Sequence, residues 1–218
     1  MKRTWKNNSL SICFASLFII SLIAQAFTGH AEYNQELLED GQPTIAFISY
    51  LSTGHFLQAT FENWESEFFQ MGLFVILTIS LRQKGSSESK AMDKPEEVDR
   101  EPSPFRKNTP WPVRKGGLAL WIYRRSLSIA FFLLFAFSFM LHFYGSLEDE
   151  NAKLLRQGLP QESFGNYITG SRFWFESFQN WQSEFLSVFA IVVLSIFLRQ
   201  QGSPQSKPVD AADDETGE

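Results

Sequence analysis

The sequence predicts an all-α membrane protein with four transmembrane helices, arranged as two tandem two-helix repeats. Three observations carry that reading. The apolar residues gather in four blocks separated by polar stretches, although mean hydropathy over the whole chain is only -0.13. The chain matches itself when it is shifted by 117 residues, which takes Ser9 onto Ser126. Lys and Arg are spread unevenly over the segments that join the blocks. Of the 218 residues 16% are aromatic, with 23 Phe, which suits helices facing lipid with rings at the membrane boundary.

The shift aligns residues 9–90 with 126–207 without a gap, and about 32 of the 82 pairs are identical, enough to define an internal repeat. "SLSI" recurs at Ser9 and Ser126, "LLEDGQP" answers "LLRQGLP", and "LRQKGSSESK" answers "LRQQGSPQSK". The expected organisation is a first membrane hairpin over residues 1–90 and a second over 126–207. Between them, residues 91–125 contain "KPEEVDREPSPFRKNTPWP", charged, proline-rich and without apolar periodicity, the composition of a disordered cytoplasmic linker. Residues 208–218 read as a disordered acidic tail.

The first run of each hairpin, about 10–27 and 127–144, supplies roughly 18 residues, enough to cross a ~30 Å hydrocarbon core at 1.5 Å per residue. The second runs, Phe68 to Leu81 and Phe185 to Leu198, supply only about 14. They reach about 19 residues, roughly 28 Å, only when the preceding "NWxSE" is taken along, giving spans of about 63–81 and 180–198. A secretory signal is the rival reading of the first run, since "MKRTWK" is a basic leader and Ala24 to Ala26 read "AQA". The repeat opposes it, because the equivalent run at 127–144 is internal.

Loop charge sets orientation. The segment from Arg82 to Arg125 holds eleven Lys and Arg, and Lys2, Arg3 and Lys6 precede the first span. Residues 28–62 hold none, and 145–179 hold only Lys153, Arg156 and Arg172 against five acids. Cationic loops stay in the cytoplasm, so both termini are expected there, with both hairpins in one orientation. In the outer loops, Leu37 with Leu38 and Leu154 with Leu155 give short helices an apolar face, stopped by Gly41 and Pro43 or Gly158 and Pro160.

The entrance octets, "ENWESEFF" and "QNWQSEFL", hold the candidate site. Helical spacing gathers Asn63 and Glu67 with His55 and Gln70, and Asn180 and Glu184 with Arg172, Glu176 and Ser187, into polar stripes. Counted from the octets, Glu67 and Glu184 lie about 6 Å inside the span, a shallow place where a carboxylate is tolerated. Structural hydrogen bonding between the hairpins is one reading. A proton or cation site is the other, since two carboxylates brought together while partly desolvated compete for one proton. The opposite faces carry aromatic anchors, Trp64 in the first copy and Trp174, Phe178 and Trp181 in the second, forming an interfacial belt or a platform for an outer ligand.

These features exclude more than they assign. Cys13 is the single cysteine, so no intrachain disulfide exists. His30, His55 and His142 are scattered, and neither HExxH, GxSxG nor a Gly-rich phosphate loop is present. No enzymatic activity, metal or cofactor is expected, although His55 with Glu62 or Glu67 is the set a metal would use. A net charge of -5 gives no reason to expect a nucleic-acid partner. The expected partners are the lipid bilayer and either a membrane protein or further copies of the chain. The expected role is a structural or accessory bundle, with a small channel or proton- or cation-coupled transport component using Glu67 and Glu184 as the alternative.

The duplicated Asn-Trp-x-Ser-Glu-Phe and Leu-Arg-Gln-x-Gly-Ser-x-x-Ser-Lys signatures, with "EDGQP" and "RKGG", resemble a family of uncharacterised bacterial membrane proteins known only as a domain of unknown function. That resemblance covers residues 9–207. It implies a multi-pass protein of the bacterial inner membrane and carries over no activity, cofactor or catalytic residue.

Overall fold

The computed structural model describes residues 2–217. Met1 and Glu218, the ends of the first hairpin and of the acidic tail, lie outside the described residues, as do the side chains of the leader cations Lys2 and Arg3. Among the described residues the regular structure is helical: α1 (Lys2–Glu39), α2 (Phe47–Tyr50), α3 (Gly54–Ser80), α4 (Trp111–Lys115), α5 (Gly117–Tyr123), α6 (Ser126–Arg156), α7 (Phe164–Thr169) and α8 (Ser171–Phe197), with a 3-10 turn at Glu97–Asp99.

The helices overrun the apolar runs. α1 has 38 residues and bends at Asn8 (φ -135°, ψ 15°), whose side-chain amide donates to the Thr4 carbonyl at 3.0 Å. The short outer helices expected around Leu37 and Leu154 are the last turns of α1 and α6. Neither helix meets a proline, so backbone hydrogen bonding continues past the apolar run until glycine ends it. Gly41 and Gly158 both adopt φ +70°. Each caps its helix the same way: Gln42 N–H reaches Leu37 O at 2.7 Å, and Leu159 N–H reaches Leu154 O at 2.9 Å.

Among the described residues three helices are long and apolar enough to cross a membrane: Thr4–Glu39, Ser126–Arg156 and Ser171–Phe197. α3 matches α8 in length, 27 residues, but is not among them. Its first half carries Glu62, Asn63, Glu65, Glu67 and Gln70, where α8 keeps only Asn180 and Glu184 with two glutamines.

The chain divides into two compact units, one of Met1–Phe61 with Met140–Phe173 and one of Glu62–Phe139 with Trp174–Glu218. Each takes residues from both sequence repeats. In the first unit, Tyr33, Leu37 and Tyr50 form a buried core flanked by Ile45, Leu51 and Phe56. His142, Phe143, Tyr167 and Phe173 are also buried, with Phe143 5.0 Å from Phe173 and 5.8 Å from Tyr167 between ring centres. α3 and α6 approach through glycine: a Cβ on Gly145 would lie 2.5 Å from Gln58 N and 3.0 Å from Gly54 O. Small residues permit such backbone contact between helices.

Two asparagines clamp the outer loops to their helices. Asn34 accepts from Ile45 N–H at 2.8 Å and donates to Ile45 O at 3.1 Å. Asn151 does the same to Glu162, at 2.7 and 3.2 Å. A side-chain amide mimics a peptide group, so each clamp satisfies a donor and an acceptor that lack a helical partner.

In the second unit, Phe69 packs on Phe135 at 4.9 Å and on Trp181 at 4.7 Å. Arg82 and Arg199 cap α3 and α8, each donating to the carbonyls of the last turn. Residues 208–217, which carry no apolar periodicity, fold around Lys207. Its ammonium donates to the carbonyls of Ala212, Asp213 and Glu215 at 2.9–3.0 Å. Thr216 Oγ1 accepts from Gly85 N–H at 2.7 Å, and Lys84 pairs with Asp214 at 3.3 Å.

Candidate polar site of the second unit

α3 begins at Gly54 and ends at Ser80, so Glu67 stands at its midpoint, about 20 Å from either end at 1.5 Å per residue. The 6 Å depth inferred from the octet assumed a helix that starts at Asn63. The polar block lies within a longer helix instead, because no residue from His55 to Glu62 breaks it.

The octet's two faces differ sharply. Asn63 and Glu67 are exposed, whereas Glu65, Ser66 and Gln70 are 0%, 1% and 6% exposed. Glu65 Oε1 accepts the Trp181 indole N–H at 2.9 Å. A buried carboxylate costs several kcal/mol unless it is hydrogen-bonded or paired. This bond therefore ties the most demanding group of the unit to a ring that also packs on Phe69. Trp181, placed by the sequence in an aromatic belt, is half-buried and packs edge-on against Phe178 at 5.4 Å. Trp174 is 5.7 Å from Phe178 and 6.3 Å from Phe139. Trp64 is half-buried on α3.

Glu67 and Glu184 lie near enough for the charge of one carboxyl group to bear on the other. Asn180 donates instead to its own helix, to Glu176 O at 3.0 Å. A second carboxylate pair, Glu62 and Glu176, brings oxygens within 4.8 Å. α3 and α8 thus set carboxylates at Glu62, Glu65, Glu67, Glu176 and Glu184. Two carboxylates placed near one another compete for a proton, which is the chemistry open to Glu67 with Glu184.

The first unit has its own polar features. His55 does not turn to a carboxylate: its Nδ1 is 3.1 Å from Tyr50 Oη. Tyr50 is 1% exposed, and burial, then the charges of Glu32 and Asp149, push its hydroxyl up to about 12. Asp149, 2% exposed, binds Lys153 at 2.8 Å and Arg172 at 3.0 Å through one oxygen, and Arg172 also pairs with Glu150. Burial draws the Lys153 ammonium down, but its hydrogen bond to Asp149 and the charges of Asp149 and Glu36 outweigh this and hold it above the usual lysine range.

Sequence reasoning passed over Glu65, Asp149 and the two tyrosines. For Tyr50 and Tyr167 a signal existed, since both repeats keep them. Glu65 faces Gln182 in the repeat alignment, one of three positions at which the two octets differ.

No curated protein and no solved structure matches the chain. One family model, described as a domain of unknown function (DUF6766), spans residues 1–218. The match covers the whole of residues 1–218, so the chain belongs to the DUF6766 family, a domain of unknown function.

Proposed function

We propose that this chain is a four-span bundle of the bacterial inner membrane, two tandem hairpins with both termini cytoplasmic, serving as a structural or accessory component without enzymatic activity. The observation that carries the proposal is where the apolar side chains point. In the apolar windows of α1, α6 and α8, only 6%, 17% and 6% of residues are buried. Leu10, Phe14 and Ile20 of α1 are 72%, 65% and 64% exposed, as is Leu133 of α6 at 66%. A soluble monomer rarely exposes contiguous apolar surface of this extent. Lipid covers it, and so does a membrane partner or another copy of the chain. The tandem arrangement is supported by equivalent bonds 117 residues apart, such as the Asn34 and Asn151 clamps and the Arg82 and Arg199 caps. α3 is the fourth span, with Glu65 turned into protein and the exposed Asn63 and Glu67 covered by a membrane partner or another copy of the chain rather than by lipid.

Crosslinking in native membranes followed by mass spectrometry tests the role. A stable partner or homo-oligomer is expected, and recovery of isolated monomers alone contradicts it. The nearness of Glu67 and Glu184 favours a second reading, a channel or proton- or cation-coupled component. In vesicles, Glu67→Gln with Glu184→Gln then abolishes flux while the protein stays inserted. Parental flux in the double variant removes this reading.

A further inference from the structure

At the end of α3 and the start of α6, both within the second unit, the surface opens into a groove of about 520 Å³. Ligand sites commonly run from about 300 to 1,000 Å³. Ile76 and Ile79 form one wall, and Ile129, Phe132 and Leu133 form the other. The Phe132 ring settles against α3 because Gly72 has no side chain there: a Cβ would stand 3.3 Å from the ring. Among the described residues the polar lining groups are Ser128 and Arg125, and Arg125 lies at the end of the groove nearest the start of α6.

The surroundings of that end identify the occupant. Arg125 is the cation in the lining; its neighbour Arg124 pairs with Glu101 at 3.4 Å, and Arg82 donates to the last carbonyls of α3. The Arg125 guanidinium stacks over Trp121 at 4.7 Å and donates one N–H to the Trp121 carbonyl at 3.3 Å. A guanidinium has five such donors and matches a phosphate in a bidentate fork. Exposed Trp111, Trp121 and Tyr123, with Lys115 over Trp111, make an aromatic and cationic belt just before α6. Belts of this kind sit at the headgroup level. From Arg125 to Leu133 is about 12 Å along the helix, so the groove descends from that level into the hydrocarbon. A soluble anion meets Arg125 and leaves the slot empty. A neutral hydrocarbon fills the slot and leaves Arg125 without an anion.

We propose that this groove binds one anionic phospholipid, with its phosphate on Arg125 and an acyl chain between α3 and α6. The proposal rests on the membrane reading above. Anionic headgroups are drawn to basic sites between membrane helices, and an arginine fork fixes the phosphate.

Native mass spectrometry of the full chain, released from nanodiscs of phosphatidylglycerol or phosphatidylcholine, tests it. The parent is expected to retain phosphatidylglycerol at least about five-fold more than phosphatidylcholine. Arg125→Gln brings the two to parity, and Ser128→Trp, which fills the groove, lowers retention of both. Arg106→Gln, an equal charge change outside the groove, keeps the parental ratio. Equal retention of the two lipids by the parent, undiminished phosphatidylglycerol binding in Arg125→Gln and Ser128→Trp, or an equal loss in Arg106→Gln overturns the proposal. Failure of the membrane reading looks different: the chain is then recovered monodisperse from the aqueous fraction and never enters the nanodisc.

Discussion

Tyr50 and Tyr167 stand 117 residues apart at matching positions of the sequence, each the fourth residue of a short helix that opens with phenylalanine, yet their hydroxyls are satisfied by different means. Tyr50 Oη lies over Gly29, where a Cβ would collide with it, and meets His55 Nδ1 at 3.1 Å. Tyr167 Oη meets Ser146 Oγ at 2.6 Å, and Ser146 is the counterpart of Gly29. The backbone around both is the same, with the Asn34 and Asn151 clamps and the Gly41 and Gly158 caps. The surrounding charges are not. Position 32 is an exposed Glu, while its counterpart Asp149 is buried between Lys153 and Arg172. Backbone-satisfying residues set the turn that follows each long helix, and the side chains packed behind them are free to diverge. Buried polar groups need a partner, and several partners serve.

The largest asymmetry is expected at positions 32 and 149. Asp149→Ala takes a buried carboxylate from the half-buried Lys153 and Arg172, of which Arg172 keeps Glu150, and costs about 1.5–3 kcal/mol, whereas Glu32→Ala stays within about 0.5 kcal/mol. Unfolding in detergent, followed by circular dichroism, measures both, and equal costs break the comparison.

Next comes the glycine contact. Gly29→Ala forces the Tyr50 hydroxyl aside and costs roughly 1–3 kcal/mol. Adding Tyr50→Phe removes the colliding oxygen and recovers part of that loss. A double-mutant cycle with no coupling contradicts the contact.

Titration separates the two tyrosine sites more gently. The folded-state pKa of Tyr50, about 12, exceeds the unfolded value of 10.0, so folding favours the neutral phenol. Its contribution is fully present below about pH 10 and is lost as pH rises from about 10 to 12, where the unfolded chain releases its proton first. In Tyr50→Phe this part of the alkaline decline is absent. An unchanged alkaline curve contradicts the assignment.

The smallest effect belongs to the ion pair joining the ends of α1 and α6. Arg156 Nε and Asp40 Oδ2 are 2.7 Å apart, with the Asp40 side chain 44% exposed. Arg156→Gln is expected to cost about 0.2–1 kcal/mol, less in high salt.

Much of this was legible in the sequence for local reasons. Gly41 with Pro43 and Gly158 with Pro160 mark helix ends through backbone preference alone, and both ends stand where the glycines put them. The apolar runs at 10–27 and 127–144 lie within helices long enough to cross a membrane. What stayed hidden depends on which face meets a neighbour. α3 mixes Phe61, Trp64, Phe68 and Phe69 with Asn63, Glu65 and Glu67 so evenly that spacing alone does not choose between Glu65 and Glu67 as the buried carboxylate. Contact with Trp181, 116 residues away, makes the choice. The continuity of α1 past Phe27 was missed because polarity was read as the end of a helix, although polarity ends only the apolar run.

The comparison of hairpins presupposes that α3 crosses the membrane as α8 does, and labelling of single cysteines in membranes tests that step most directly. In a Cys13→Ser background, Lys6→Cys and Lys94→Cys should react with an impermeant reagent from the same side, and Asp40→Cys from the opposite side. Labelling of Lys6→Cys and Lys94→Cys from opposite sides would leave α3 outside the bilayer and contradict the two-hairpin architecture.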